Sequence, residues 1–224
     1  MRYLCVLIFN YDYMRRFVFT CLIAMVVIRA DAQIRLGISA GGLYAGWNVA
    51  FDGVKDSDYE GRMGFLAGLV AELPLGNSLA LQPQFNFVHK GTSVEHGDHH
   101  DAVEVNALDI PLSMLFRYAA GPGEFFLGLG PNIGINLEAH LHEDHDHRDD
   151  GHGHSHGEHI TIGNDPGNLK RMDIGARLSA GYTLRNGLSF SASYVLGLSD
   201  LTPEAITVAR SNYAAVTLGY YFLR

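Results

Sequence analysis

Eleven of the twelve histidines crowd into two short stretches of the chain. His96, His99 and His100 form the first group; His140, His142, His145, His147, His152, His154, His156 and His159 form the second. Carboxylates are interleaved with them: Glu95, Asp98, Asp101, Glu138, Glu143, Asp144, Asp146, Asp149, Asp150 and Glu158. Neutral imidazole is the usual nitrogen ligand of zinc, copper and nickel ions, and carboxylates add oxygen ligands and negative potential. In an extended chain His-x-His puts both rings on one side, so one ion can be chelated with little loop closure. Gly151, Gly153 and Gly157 would let the segment wrap an ion in several ways. The expected ligand set is the eleven histidines with Asp144, Asp146 and Glu158, and the expected ion is zinc, with copper or nickel as substitutes. Nothing in the sequence fixes a second shell, so several exchanging sites are expected rather than one tetrahedral centre. Affinity should fall as pH drops through the range near 6.5 where imidazole protonates. The competing reading is a solvated acidic linker whose histidine content is only compositional.

The elements that would carry these stretches follow a period of two. In 170–185, Met172, Ile174, Ala176, Leu178, Ala180, Tyr182 and Leu184 alternate with Arg171, Asp173, Gly175, Arg177, Ser179, Gly181, Thr183 and Arg185. Segment 188–199 and the segment from Tyr213 to Phe222 repeat the pattern, and equivalents fit 34–44, 62–75, 78–90, 104–118 and 124–137. Such alternation reads as strand, and the set makes eight. Gly76-Asn77, Gly121-Pro122-Gly123 and Asn186-Gly187 are tight hairpin turns. The other connections, at about 45–61, 91–103, 138–169 and 200–211, read as long polar loops. Short and long connections alternate strictly, which puts all short turns at one end and both histidine stretches at the other. That is the layout of an eight-stranded antiparallel up-and-down transmembrane β-barrel with short periplasmic turns and long extracellular loops.

Volume decides which face is outside. An eight-stranded barrel is only just wide enough for its own inward side chains, so the bulky apolar set must face out and the Gly, Ser, Asn and Arg set in. In water that exterior would aggregate; in lipid it is required. A secreted lipocalin-like barrel would need the reverse. Phe116, Tyr118, Phe125, Tyr182, Phe190, Tyr220 and Phe222 near the turns, and Tyr44, Trp47, Phe65 and Phe87 near the loops, read as interfacial girdles. Arg35, Arg62, Glu72, Asp109, Arg117, Asp173, Arg177 and Arg185 should pair across a plugged lumen, because an unpaired buried charge is costly. His89, on the bulky face at a strand end, reads as an interfacial aromatic. Pro74, Pro83, Pro111 and Pro131 fall inside the strands and remove ladder donors, so bulges or strand-end distortions are expected there.

The N-terminus reads as an address. Met14-Arg15-Arg16 is a positive region, Phe17 to Ile28 an apolar one, and Ala30-Asp31-Ala32 a small-x-small cleavage pattern. Residues 1–32 are therefore expected to be an N-terminal extension plus signal peptide with Met14 as the true start, and 33–224 the barrel, carrying a His-rich extracellular loop at 138–169. Both cysteines, Cys5 and Cys21, would leave with the leader, so neither disulfides nor thiolate ligands are expected in the mature chain. The formal net charge of −8 argues against nucleic acid, whose phosphates it would repel.

Glu72-Leu73-Pro74-Leu75, Leu79-Ala80-Leu81-Gln82-Pro83-Gln84-Phe85 and Lys90-Gly91 resemble the second and third strands of the PorT-like outer-membrane β-barrels of Bacteroidetes. Leu108-Asp109-Ile110-Pro111-Leu112 is similar to that family's LEIPL strand, with Asp109 where Glu is usual. Gly130-Pro131-Asn132-Ile133-Gly134 and Tyr194-Val195-Leu196-Gly197-Leu198 also match. The resemblance spans about 34–224, breaks at the third loop, and accounts for prolines that fall within its motifs. It implies an outer-membrane location and an eight-stranded barrel, and no particular reaction.

A hydrolase in such a barrel would need a nucleophile and a His held on rigid strands, and only His89 with Ser93 comes near that. No phosphate loop or nucleotide fingerprint is present. The expectation is a non-enzymatic, monomeric barrel in outer-membrane lipid that requires no cofactor and binds divalent metals for capture, buffering or tolerance. The alternative is a structural or protein-interaction barrel with a secretion or envelope protein partner.

Overall fold

The computed structural model describes residues 34–223, apart from 52–53, 56–58, 97–98, 145–156, 164, 166–167 and 203–206. The expected leader, residues 1–32, lies outside the described residues. The strands are β1 (Arg35–Phe51), β2 (Val54–Lys55), β3 (Tyr59–Pro74), β4 (Leu79–His96), β5 (His99–Ala120), β6 (Gly123–Asp144), β7 (Gly157–Ile160), β8 (Met172–Leu184), β9 (Leu188–Gly197) and β10 (Thr207–Leu223). Neighbours pair antiparallel in the order β10-β9-β8-β6-β5-β4-β3-β1, and β10 pairs back onto β1 from Leu36↔Leu223 to Phe51↔Thr207. The eight long strands thus close into a barrel with no free edge. The two-residue β2 folds onto β1 and the four-residue β7 onto β6.

The expected polarity holds along the part of the wall that carries the bulky set. Leu129, Leu178, Phe116, Phe125, Phe190 and Val216 are exposed on the outside, while Glu72, Gln82, Asn86, Asp109, Asp173 and Arg177 are buried inside. Apolar side chains also enter the lumen, including Leu43, Leu66, Val88, Leu115 and Phe126. Glycines make room for them: a Cβ at Gly128 would collide with Leu115, and one at Gly181 with the Phe126 ring. Gly121 and Gly187 sit at φ 58° and 99°, the left-handed region their tight turns require, whereas Gly76 does not.

Three expectations need correction. The stretches 45–61 and 91–103 are largely strand, as is the start of 138–169: β1 continues to Phe51, β4 and β5 leave only 97–98 between them, and β6 runs to Asp144. Strands of 22 residues, as in β5 and β6, far exceed the roughly 9–11 that cross a bilayer. Trp47 is not an interfacial anchor. It lies on the inward parity of β1, packed with Ile160 against Val103, Val105, Ala139, Leu169 and Leu201. The prolines do not produce bulges. The β4–β5 register is unchanged across the gap between Pro83↔Leu112 and Asn86↔Asp109, so a Pro simply omits ladder bonds. Register shifts occur instead at Leu36/Gly37, Gly61/Phe65 and Asn106/Ala107. Pro74 alone behaves as a strand end.

Candidate metal-binding rim and the lumen beneath it

All three histidines of the first group, and part of the second, stand at paired strand positions. His96 lies opposite His99 at the tip of the β4–β5 ribbon. His100 lies opposite Glu95 on β4 and Asp144 on β6. His140 lies opposite Glu104 on β5 and His159 on β7. His142 lies opposite Ala102 and Gly157, and Glu158 opposite Leu141. Directly opposed residues of an antiparallel pair have Cα atoms about 4.5–5.5 Å apart, so the register itself groups His140 with His159 and His100 with Asp144. His145, Asp146, His147, His152, His154 and His156 lie outside the described residues.

Side-chain contacts among the described residues lie at the base of this ribbon. There the outer face carries Arg62, His89, Glu104, Glu138 and His140. His89 stacks on Phe65 with ring centroids 5.3 Å apart, and its Nδ1 donates to Asn106 Oδ1 at 2.8 Å. This is the interfacial aromatic expected from its position. Its Nε2 lies 3.8 Å from Glu104 Oε2, and Arg62 reaches the same carboxylate at 3.3 Å. Arg62 therefore serves the outer face, not the lumen, because the irregularity between Gly61 and Phe65 turns it outward. His140 Nε2 lies 3.7 Å from Glu138 Oε2. Among the described residues no group of three or more His, Cys, Asp or Glu side chains is already gathered closely enough to hold an ion.

The lumen is filled in two charged tiers. Near the turns Arg117 donates to Glu72 at 2.8 Å, Arg35 lies 3.3 Å from the same carboxylate, and both arginines also approach Glu124. Higher up, Lys90 and Asp173 pair at 3.0 Å with both side chains buried. Asp109 accepts from Tyr213 Oη at 2.6 Å and from Asn132 Nδ2 at 3.0 Å. Between the tiers runs an amide ladder in which Asn86 donates to Gln84, Gln84 to Gln82, and Gln82 to Tyr221 Oη. The pairing expected for Arg35, Glu72, Arg117 and Asp173 is present. Arg185 is instead exposed at a turn, where it donates to the Gly121 carbonyl. Lys90 was missed as a lumen cation; its inward parity with Gln82, Gln84 and Asn86 on β4 was the available signal.

A closed eight-stranded barrel, apolar outside and ionic inside, defines the class: an outer-membrane β-barrel. The chain belongs to the outer membrane protein beta-barrel domain family, whose model matches residues 24–202. Its location is accordingly the outer membrane. Among solved structures it is similar to the outer membrane protein OprG of Pseudomonas aeruginosa, at 11% identity over 86% of this chain and 97% of that one, with a TM-score of 0.51. It is also similar to Neisserial surface protein A, at 12% identity over 84% and 97% of the two chains with a TM-score of 0.45. The attachment invasion locus protein Ail of Yersinia pestis shares 17% identity over 85% and 99%, with a TM-score of 0.40. These likenesses concern the fold. No curated protein matches the chain.

Proposed function

We propose that this protein is a non-catalytic, monomeric, PorT-like barrel, exported by a cleaved signal peptide, whose histidine-bearing strand extension captures divalent transition metals at the cell surface. Zinc is the first candidate. The observation that carries the reading is the strand register, which sets His140 against both His159 and Glu104, and His100 against Asp144. Imidazole and carboxylate placed at neighbouring positions of a paired ribbon need less ordering to share an ion than the same groups on an open loop. The acidic chain, at net charge −8, favours cation approach.

The test is a calorimetric Zn²⁺ titration of the folded protein in detergent. Its comparators are a His140→Asn/His159→Asn variant and one with 145–156 replaced by a Gly/Ser linker. Binding at about micromolar or tighter, weakened by the pair substitution and reduced below about pH 6, supports metal capture. Negligible binding in all three proteins rejects it in favour of a structural or partner-binding barrel. Binding lost only with the linker would move the site out of the ribbon.

A further inference from the structure

Arg177 is 3% exposed, and its Nε and Nη1 have no hydrogen-bond partner among the described residues. Gly130 stands opposite it on β6 and offers no side chain. The buried carboxylates farther from the turns are engaged elsewhere. Asp173 holds Lys90 at 3.0 Å, and Asp109 Oδ2 accepts from Tyr213 and Asn132. The other oxygen of Asp109, Oδ1, lies against Gly134, where a Cβ would come within 3.0 Å of it. A buried guanidinium with unmet donors is a costly arrangement, and a counter-ion in contact with it would remove the cost.

The space for such an ion lies beside it. A 30 Å³ cavity in the lumen is lined by Arg177 together with Ser179, Gln82, Gln84, Ser191 and Thr217. That is room for one monatomic ion, or for two waters at about 10–15 Å³ each. Among the described residues no carboxylate lines it, and its polar groups have donors left over. Gln84 Oε1 accepts from Asn86 and Gln82 Oε1 from Gln84, so both amide oxygens are in use. Each amide nitrogen has given only one of its two hydrogens, that of Gln84 to Gln82 and that of Gln82 to Tyr221. Ser191 Oγ and Thr217 Oγ1 lie 2.6 Å apart and share one hydrogen, which leaves the second hydroxyl hydrogen of the pair unused. Ser179 Oγ has no partner among the described residues. A cation surrounded by surplus N–H and O–H donors suits an anion, not a metal ion.

We propose that Arg177 and this ring of donors bind one small monovalent anion, of chloride or bromide size, inside the lumen. The ion supplies the counter-charge that touches Arg177 and completes the filling of the barrel. The site is independent of metal capture at the rim. It lies inside the part of the wall that faces lipid, and it takes an ion of the opposite sign.

The test has two arms on the full chain folded in detergent, with heat-modifiable gel migration to verify folding. In the first, crystals grown in sodium bromide are measured for anomalous scattering at the bromine edge. One peak in contact with Arg177 and Ser179 is expected, and none at that place in Arg177→Met. In the second, urea unfolding is followed in potassium chloride and in potassium gluconate, whose anion is too large for the cavity. Above half-saturation the wild-type unfolding constant should fall about tenfold for each tenfold rise in chloride, beyond any change in gluconate. Arg177→Met should show no difference between the two salts, and Arg177→Gln takes its place if the methionine variant does not fold. Water in the cavity with equal stability in both salts overturns the site. A bromide peak without chloride-dependent unfolding shows binding at crystal concentration only and overturns it as well. Chloride dependence that survives the loss of Arg177 overturns the assignment to that residue.

Discussion

The wall of this barrel obeys one rule along its lower part and the opposite rule above. From the turns up to Phe65 and Phe87 the outward positions are apolar and the inward ones carry Glu72, Asp109, Asp173 and Arg177. Above that level the outward positions are Glu104, Asn106, Glu138 and His140, while Trp47, Val103, Val105 and Ala139 turn inward. The strands run on through the change, with the period of two slipping once in β3, between Gly61 and Phe65, and once in β6, at Leu137. What differs is the medium: lipid outside demands apolar side chains, and once the wall rises into water the ordinary inside-apolar order returns. The level of inversion marks the membrane surface, and His96, His99, His100, His140, His142 and His159 stand on strand positions beyond it.

The inversion can be strained from either side. The largest effect is expected inside the lower part. Asp173→Ala takes the hydrogen-bonded counter-charge from buried Lys90 and should cost about 3–5 kcal/mol, read as the urea midpoint of the folded barrel in lipid. On its outside, Leu178→Arg places a charge on the lipid face and should cost about 2–4 kcal/mol if Leu178 sits near the midplane. Arginine at Asn106, outward but above the boundary, should change stability by less than about 0.5 kcal/mol. Equal costs at the two positions would remove the boundary. Arg62→Ala breaks a half-exposed pair with Glu104 and should cost less than about 1 kcal/mol, diminishing with salt.

The smallest effect concerns acid. Burial pushes the Asp200 carboxyl up, but hydrogen bonds from Ala209 N, Thr202 N and Thr202 Oγ1, with Lys170 nearby, hold it below its ordinary value. A depressed folded value means its stabilisation is complete above the unfolded value near 3.9. That stabilisation is lost as pH falls from there through the folded value. The protection factors of the Leu201 and Ala209 amides should therefore fall below about pH 4 in the wild type, and Asp200→Asn should show the lower protection already at pH 7.

The lower part was legible in the sequence because its alternation is strong: Met172 to Leu184 on one parity and Asp173 to Thr183 on the other needed only the volume argument to be turned the right way out. The upper part was not. Glu104, Asn106, Glu138 and His140 look like loop when apolar-outward is the template, although Val103 and Val105 keep the period with the sign reversed and Ala139 resumes it after the slip at Leu137. Trp47 was misplaced for the same reason, since its type suits a girdle but its parity points inward. Of the rim, composition showed the crowding of histidines and carboxylates, while the pairing of His140 with His159 depends on a register that only the β6–β7 fold supplies.

Residues 34–224 contain no cysteine, so single cysteines can be placed at will and labelled with an environment-sensitive fluorophore. The decisive comparison is between labels at 129, 87, 106 and 140 in the folded protein in lipid vesicles, each challenged with a lipid-soluble and an aqueous quencher. Labels at 129 and 87 should emit at shorter wavelength and respond to the lipid quencher, whereas those at 106 and 140 should respond only to the aqueous one. Lipid quenching at 106 and 140 equal to that at 129 would contradict the boundary and return the histidine-bearing strands to the membrane.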